Sequence, residues 1–339
     1  MTDYKGSGVD VKKGEEAVRR LKKHVETTFT DKVLRGIGSF GGAIDVKDMK
    51  ADESPVLVSS IDGVGTKTII AEMANQWEGT GHDIVNHSAN DLVCQGARSL
   101  VFLDYIASGK LNPETVEAIV KGASEACRDL GCVLIGGETA EMPKVYHEGA
   151  HDIVGSIVGS VDRDKMITGE GITKGDVCIA LPSNGLHTNG YSLARKVLIE
   201  DAKMDLESEV AELGCCLAEA LLKAHTPYAN LVLALNSDGL LKGVAHITGG
   251  GIPGNLVRIL PKGLGAEIKK SVIVAPPIFT LIQKTGGISD EAMFEAFNMG
   301  AGMILVVSPE DVDATIEGSE GGYVVGKIVE GNGIAIVNL

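Results

Sequence analysis

Runs of apolar and β-branched residues alternate with helical patterns along most of this chain. The segment 112–130 opens with Asn112 and Pro113, repeats its apolar residues with a helical period and stops before Gly131, which predicts a capped helix. Gly or polar turn residues bound the strand-like runs of the first half, which occupy residues 55–61, 99–107, 132–137 and 152–161. The alternation predicts mixed α/β layers.

A polar, glycine-bearing stretch without periodicity, residues 162–175, predicts a linker between two halves. The 339 residues are too many for one ordinary core, because single cores rarely grow beyond about 250–300 residues. We therefore expect an α/β (α+β) protein with an N-terminal domain over residues 1–165 and a C-terminal α/β domain over residues 170–339. In the second half we predict strands at 176–181, 243–248, 266–274, 302–307, 322–329 and 333–338, and helices near 190–201, 208–224, 226–236, 289–297 and 309–318.

Charge and composition exclude several classes of function. The net charge of −15 argues against binding to nucleic acid or to an anionic membrane, because both depend on clustered Lys and Arg. No stretch reaches the ~18 apolar residues of a membrane span, and residues 1–16 contain no apolar signal region, so we expect a cytoplasmic protein. The six cysteines form no C-x-x-C pair, which indicates buried free thiols rather than a metal site.

The stretch "SSIDGVGTK" (59–67) places an acid, two glycines, a Thr and a Lys directly after an apolar run. Glycines let backbone N–H groups approach an anion, and a helix that begins here with a lysine in its first turn suits phosphate. The acid either caps the helix or holds a cation. The residues expected to bind a nucleotide and its metal are Asp62, Gly63, Gly65, Thr66 and Lys67. A plain turn, capped by Asp62 and Thr66, remains the alternative.

The segment "HDIVNHSANDLVCQGA" (82–97) predicts a helix with two different faces. One face is the apolar stripe expected to be buried, Val85, Ala89, Leu92, Val93 and Gly96. The other carries Asp83, His87, Asn90, Asp91 and Cys94. Because oxygen ligands suit Mg²⁺, Asn90 and Asp91 are candidate cofactor ligands, and a solvated polar face is the alternative.

A second glycine-bearing strand end follows at "IGGETAEMP" (135–143). Ligand groups in α/β proteins collect at strand ends, so Gly136, Gly137 and Glu138 are further candidates for binding the cofactor. A tight turn with exposed acids is the alternative.

Two motifs of the second half have the residue types needed to bind an amide-bearing substrate. The loop "SNGLHTNGYSLAR" (183–195) offers amide side chains that both donate and accept, and His187 can move a proton near neutral pH. In "HITGGGIPGNLVRIL" (246–260) a helix is expected to begin after three glycines, and its unpaired backbone N–H groups could bind phosphate. A purely structural turn is the alternative. The expected substrate-binding residues are His187, Thr188, Asn189, Gly250 and Gly251.

Two features near the N-terminus allow more than one interpretation. The glycine-rich segment 35–44 is either a flap over a nucleotide or a disordered loop. The helix expected at 14–26 carries Lys22 and Lys23, for which a solvated basic face is the default interpretation.

Seven motifs together resemble the phosphoribosylformylglycinamidine cyclo-ligase family. They are "GVD" near the start, "SSIDGVGTK", "NDLVCQGARSLVFLDYIASGKL", "GGETAEMP", "SNGLHTNGYSLAR", "HITGGGIPGNLVRILP" and "FNMGAGM". Each motif alone is weak, but all seven occur in the family's order and spacing between residues 8 and 329.

The resemblance implies an enzyme of purine biosynthesis that uses ATP to close the imidazole ring of formylglycinamidine ribonucleotide. It implies ATP and Mg²⁺ as cofactors and leaves open whether a monovalent cation is also needed. It also implies a homodimer whose N-terminal sheets pair into a shared barrel. Carried over to this chain, Asp62 and Asp91 would bind the metal, Lys67 would serve the nucleotide, and Lys22, Asp62 and His187 would be catalytic.

Other ATP-using enzymes of the same superfamily are the nearest alternatives: formylglycinamidine synthetase, selenophosphate synthetase and thiamine-phosphate kinase. The motifs "GGETAEMP" and "HTNGYSLAR" argue against all three. Selenophosphate synthetase is further disfavoured because this chain has no reactive Cys before Cys94. A nucleotide-binding regulator without turnover is a second class. A dinucleotide dehydrogenase is disfavoured, because no G-x-G-x-x-G opens a helix after the first strand.

Overall fold

The computed structural model describes residues 11–36, 42–47, 49 and 53–338. These form two compact units, one over residues 1–92 and 98–163 and the other over 93–97 and 164–339. Part of the glycine-rich segment 35–44 lies outside the described residues, so its interpretation as a flap stays a prediction.

The first unit combines a four-stranded sheet with helices that follow the predicted pattern. Its helices are α1 (Val11–Val25), α2 (Lys67–Ala74), α3 (Glu78–Val93) and α4 (Pro113–Leu130). Its strands are β1 (Val33–Arg35), β2 (Ala43–Ile44), β3 (Pro55–Gly63), β4 (Arg98–Ser108), β5 (Val133–Glu141) and β6 (His151–Asp162).

The sheet order β3-β6-β4-β5 collects three strand ends at one edge. Strand β6 runs antiparallel to β3 and β4, while β4 and β5 are parallel. The carboxyl ends of β3, β4 and β5 therefore share an edge. The loop that follows Asp62 and the acids of β5 both lie along this edge, where α/β proteins commonly bind ligands.

One face of this sheet is packed against helices and the other is exposed. A Cβ on Gly155 of β6 would lie 2.7 Å from Ile84 Cγ1 of α3, so the missing side chain lets the helix approach the sheet. On the opposite face, Leu57 and Ile61 of β3 are 63% and 70% exposed. Strand β3 is therefore covered on one face only.

Helices α3 and α4 cross at two glycines. A Cβ on Gly81 would lie 2.0 Å from the carbonyl oxygen of Ile119, and a Cβ on Gly122 would lie 2.0 Å from that of Glu78. No L side chain can occupy such positions without moving a backbone. The crossing fixes α3, which carries several of the candidate site residues.

The second unit is built around a six-stranded sheet of order β10-β12-β7-β13-β11-β14. Its strands are β7 (Val177–Pro182), β8 (Glu209–Val210), β9 (Cys215–Cys216), β10 (Gly243–His246), β11 (Leu264–Lys269), β12 (Ala301–Val307), β13 (Tyr323–Glu330) and β14 (Gly333–Val337). Its helices are α5 (Tyr191–Arg195), which continues as a π-helix (Lys196–Asp201), α6 (Leu217–Leu222), α7 (Ala229–Ser237), α8 (Gly251–Leu256), α9 (Pro277–Gly286), α10 (Asp290–Ala296) and α11 (Val312–Gly318).

Two predictions for this unit were wrong in detail. The helix predicted over 208–224 is a short hairpin of β8 and β9 followed by α6, with Gly214 at a φ of +68° in the turn. Strand β11 ends at Lys269, and a 3₁₀ turn (Lys270–Val272) replaces the rest of the predicted strand. Helix α9, which opens with Pro277, was not predicted. None of the helices in the described part of the chain is both long and apolar enough to span a membrane.

We expect Gly122→Ala to lower the free energy of unfolding by at least about 2 kcal/mol, because the added methyl group meets a backbone carbonyl that cannot rotate away. Urea denaturation followed by circular dichroism measures the loss. Gly171→Ala is the matched control, because a Cβ there meets no described atom within 4 Å. Equal stability of the two variants would contradict the close crossing of α3 and α4.

Candidate active site

The glycine loop after β3 leaves space next to its backbone. Strand β3 extends through Asp62 and Gly63, and α2 begins at Lys67. Gly65 has a φ of +68°, and a Cβ there would meet no described atom within 4 Å. Thr66 is the N-cap residue of α2, but its side chain does not cap the helix. The alternative of a plain turn capped by Asp62 and Thr66 therefore fails for Thr66.

Lys67 points into the first unit rather than toward the loop surface. Its side chain is fully buried, and Nζ lies 2.8 Å from Asp83 Oδ1 and 2.7 Å from Asp83 Oδ2 of α3. Burial lowers the pKa of Lys67, and the Asp83 carboxylate opposes that shift. This placement differs from the expected direct contact with phosphate, because both groups of the ion pair are inaccessible to solvent. Lys67 instead ties the end of the glycine loop to α3.

Asp62 lies beside His87, one helical turn after Asp83 on α3. Its Oδ1 lies 3.5 Å from His87 Nε2, and its Oδ2 accepts a hydrogen bond of 2.9 Å from Ser60 Oγ. The sequence analysis placed His87 on the polar face of this helix without assigning it a role. The structure brings it to Asp62, four residues before Asp91 on α3.

The polar face of α3 is mostly buried. The predicted apolar stripe is confirmed, since Val85, Ala89, Leu92 and Val93 are at most 1% exposed. Asp83 and Asn90 are also fully buried, and Asp91 is half-buried. The interpretation of this face as solvated surface was therefore wrong. Burial of so many polar groups requires that they be paired or bind a ligand.

The acids of β5 lie beside an acid that the sequence analysis missed. Asp104 of β4 pairs in register with Gly137, and a Cβ on Gly137 would lie only 2.2 Å from Asp104 Oδ1. Burial raises the pKa of Asp104 to about 7, and the charge of Glu138 adds to the shift. Strand β5 continues through Glu141, so the alternative of a tight turn at Gly136 and Gly137 was wrong. The signal for Asp104 was its position as a single charge inside the apolar run 99–107.

Lys22 lies on the exposed side of α1. Its side chain is 55% exposed and its Nζ lies 3.7 Å from Glu26 Oε1. The neighbouring Lys23 pairs with Glu117 at 2.6 Å. Both placements agree with the default interpretation as a solvated basic face, and a catalytic role of Lys22 stays a prediction.

In the second unit, Asn298 holds the start of the loop 183–189. Its Oδ1 accepts hydrogen bonds from Ser183 Oγ at 2.8 Å and from the backbone N–H of Gly300, and its Nδ2 donates to the carbonyl of Gly185 at 3.0 Å. The motifs "SNGLHTNG" and "FNMGAGM" are thereby joined by one buried amide. This explains why two motifs over 100 residues apart in sequence belong to the same site.

His187 belongs to a cluster of three buried histidines. It adopts a left-handed backbone with a φ of +60°, which is uncommon for a residue with a side chain. Its ring stacks on His225 with centroids 4.0 Å apart, and His225 Nε2 lies 2.9 Å from His246 Nε2. The backbone N–H of Thr226 donates to His187 Nε2 at 3.5 Å. A neutral His187 ring therefore has its proton on Nδ1.

The sequence analysis did not assign roles to His225 and His246. His246 was visible as the first residue of the "HITGGG" motif, whereas nothing in the local sequence around His225 distinguishes it from a structural histidine. A glycine makes room for the cluster. A Cβ on Gly302 would lie 2.9 Å from His187 Cε1 and 2.0 Å from the Tyr228 hydroxyl.

The glycine loop before α8 lies next to the loop of His187. A Cβ on Gly249 would be 3.4 Å from Asn189 Oδ1, and Gly250 and Gly251 have φ values of +92° and +58°. Asn255 shapes the loop, since its Nδ2 donates to the carbonyls of Gly249 at 3.2 Å and Gly251 at 2.8 Å. The structure thus brings together the substrate-binding residues expected from two separate motifs.

We expect Lys67→Met to lower the free energy of unfolding by about 3–5 kcal/mol, because it leaves the Asp83 carboxylate buried without its counter-charge. Urea denaturation gives the value. The double variant Lys67→Met/Asp83→Leu should lose less than Lys67→Met alone, because it removes the orphaned charge. A Lys67→Met protein that unfolds at the wild-type urea concentration would show that the pair does not hold the loop.

Sequence comparisons identify the two halves of the chain. Residues 41–161 match the family model described as AIR synthase related protein, N-terminal domain, and residues 173–338 match its C-terminal domain. A curated protein of Shouchella clausii (strain KSM-K16), named phosphoribosylformylglycinamidine cyclo-ligase, is 50% identical over 338 residues, which is 98% of this chain and 97% of that protein. A protein of the same name from Bacillus cytotoxicus is 48% identical over 98% of this chain and 96% of its own length.

Solved structures share the fold at much lower identity. Thiamine-monophosphate kinase from Stenotrophomonas maltophilia K279a superposes with a TM-score of 0.69 at 18% identity and covers 95% of both chains. At such low identity this match supports the two-unit α/β fold alone. On the strength of its near full-length relatives, this chain belongs to the phosphoribosylformylglycinamidine cyclo-ligase family of ligases.

Proposed function

We propose that this protein closes the imidazole ring of formylglycinamidine ribonucleotide, converting it with ATP into aminoimidazole ribonucleotide, ADP and phosphate, as a step of purine biosynthesis in the cytoplasm. The single observation that carries the proposal is the 50% identity to a named cyclo-ligase over 98% of the chain. The buried acids of the first unit and the histidine and glycine loops of the second are consistent with it.

The reaction needs an oxygen atom to be made into a leaving group. A formamide oxygen leaves poorly, so we propose that the γ-phosphoryl group of ATP is transferred to it while the amide N–H loses its proton, giving an iminophosphate and ADP. The substrate nitrogen then attacks that carbon, the C–O bond breaks, phosphate leaves, and one proton is lost from the nitrogen. Such a transfer depends on positioning and charge neutralisation more than on a protein nucleophile.

The proposed ATP-binding domain spans residues 1–165 and contains the first unit. Gly63, Gly65 and Thr66 would offer backbone N–H groups to phosphate, since the space beside Gly65 is open. Lys67 would act through its buried pair with Asp83, which holds the end of this loop. Asn90 is buried on α3, one residue before Asp91.

The carboxylates of the first unit fit a divalent cation. Asp62 and Asp91 would hold Mg²⁺, because both are half-buried and offer the oxygen ligands that this ion prefers. When bound, the ion would neutralise charge on the phosphates. Asp104 and Glu138 form a second acidic pair whose mutual repulsion a cation would relieve, and Gly136 and Gly137 flank that pair. A monovalent cation there is an additional proposal.

The proposed C-terminal domain, residues 170–339, lies within the second unit and would bind the substrate. Thr188 and Asn189 offer polar groups next to His187, and Gly250 and Gly251 expose backbone beside Asn189. We assign to His187 the proton lost from the attacking nitrogen, or the orientation of the amide, because its ring is held by Thr226 and by stacking on His225. Lys22 is a further candidate catalytic residue, on the family resemblance alone.

The pure protein should release ADP from ATP and Mg²⁺ only when formylglycinamidine ribonucleotide is present, and mass spectrometry should detect the aminoimidazole product. His187→Ala should lower kcat/KM at least tenfold, since a general acid or base contributes that much or more. His147→Ala, an exposed histidine outside the candidate site, is the matched control. ADP release in the absence of the substrate would contradict the proposed reaction. A kcat/KM of His187→Ala within threefold of wild type would contradict the role of His187.

We also propose a homodimer in which the exposed face of the four-stranded sheet packs against its copy as part of a shared barrel. The support is the apolar character of that face, where Leu57 and Ile61 are 63% and 70% exposed. Exposed apolar patches of this kind commonly mark protein interfaces.

Sedimentation velocity should therefore give a dimer for the wild type and a monomer for Ile61→Asp, because the new charge would be buried in the interface. Val274→Asp is the control, since Val274 is equally exposed at 70% but lies in the second unit. A wild-type monomer at micromolar concentration, or a dimer that survives Ile61→Asp, would refute this interface.

A further inference from the structure

The first unit contains a cavity that the proposed reaction does not use. Its volume is about 460 Å³, which lies within the usual range for small-molecule sites. It is half-open to solvent and is lined by the end of α2, the residue before α3, the turn into α4 and the segment leading into β6. None of the residues assigned above to ATP, metal or substrate lines this cavity.

An aromatic pair forms one wall of the cavity. The rings of Trp77 and His151 lie with their centroids 4.4 Å apart and their planes at 54°. His151 Nδ1 is 2.7 Å from the carbonyl oxygen of Gly149, so Nδ1 donates and carries the ring proton. Burial lowers the pKa of His151, which keeps the ring neutral near pH 7. Its Nε2 is therefore a hydrogen-bond acceptor.

This acceptor is buried and makes no hydrogen bond to any residue that the structure describes. A buried acceptor without a donor costs free energy, and a ligand N–H group that reached it would remove that cost. The wall therefore offers part of an aromatic ring pair together with an unsatisfied acceptor.

Glu72 supplies a second acceptor. A Cβ on Gly149 would lie 1.6 Å from Glu72 Oε1, so the carboxylate rests against a bare backbone, and Gly149 has a φ of +91°. Only glycine allows both the left-handed backbone and the position of the carboxylate. Partial burial raises the pKa of Glu72. The two acceptors favour an occupant that carries N–H donors.

The charges around the cavity argue against a phosphorylated occupant. Lys110 is the single ammonium among the described residues that line the cavity, and its Nζ already lies 2.7 Å from Glu148 Oε1. With Glu72, the lining has two carboxylates and one lysine, so its net charge repels a phosphate group.

We propose that this cavity binds a flat nitrogen heterocycle with N–H donors and no phosphate, of the class of an aminopurine base or its nucleoside. The ring would pack against the wall of Trp77 and His151, and the two N–H groups of its amine would donate to Glu72 and to His151 Nε2. This site is separate from the one proposed for ATP.

Trp77 is the single tryptophan of the chain, so tryptophan fluorescence reports on this wall. Titration with adenosine, excited at the red edge of the indole band, should give a saturable change. Purine riboside, which lacks the exocyclic amine, should bind at least tenfold more weakly, because it cannot donate to the acceptors. A saturating non-hydrolysable ATP analogue should leave adenosine binding in place. No change with adenosine, equal binding of the two nucleosides, or complete displacement by the ATP analogue would overturn the proposal.

Two variants test the acceptors directly. Glu72→Gln and His151→Phe should each weaken adenosine binding at least tenfold, while the control Glu330→Gln, on the surface of the second unit, should not. Gly149→Ala should abolish binding if it folds, and Gly171→Ala should not. Unchanged binding in both Glu72→Gln and His151→Phe would refute the assignment. The measurement reads binding and not turnover, so its failure is distinguishable from failure of the proposed ring closure.

Discussion

The buried ion pair between Lys67 and Asp83 is the interaction on which the candidate active site depends. It joins the residue that ends the glycine loop to the first turns of α3, with both side chains inaccessible to solvent. Asp62 then meets His87 one turn further along the same helix. Because a buried charge cannot lose its partner without a large cost, the loop has one defined position relative to the acids of α3.

In the second unit, neutral groups position the loops. Asn298 and Asn255 each bind several backbone groups of the loops that carry the candidate substrate-binding residues. His187 keeps an uncommon backbone conformation because Thr226 and the stacked ring of His225 surround it. Backbone strain of this kind persists only where the surroundings enforce it, and it is concentrated at functional sites.

Local signals in the sequence were sufficient for the elements with clear ends. Helix α4 begins and ends where predicted, since the Asn112 side chain accepts from the N–H of Glu114 and Gly131 has a φ of +66°. The prediction failed over 208–224, where an apolar pattern compatible with a helix is interrupted by Gly214 in a hairpin turn. It also missed Asp104, whose pKa is raised first by burial in the folded protein and then by the charge of Glu138 on the neighbouring strand.

The sequence alone determined the two-part α/β architecture, the glycine turns at the strand ends and the family, because these depend on residues that are close along the chain or on motifs in a fixed order. The tertiary structure decided the partners: Lys67 with Asp83, Asp62 with His87, Asp104 with Glu138, and His225 with His187 and His246. The physical reason is that a charge or an imidazole can pair with many groups of the right chemistry. Which of them it meets depends on how the sheets and helices pack.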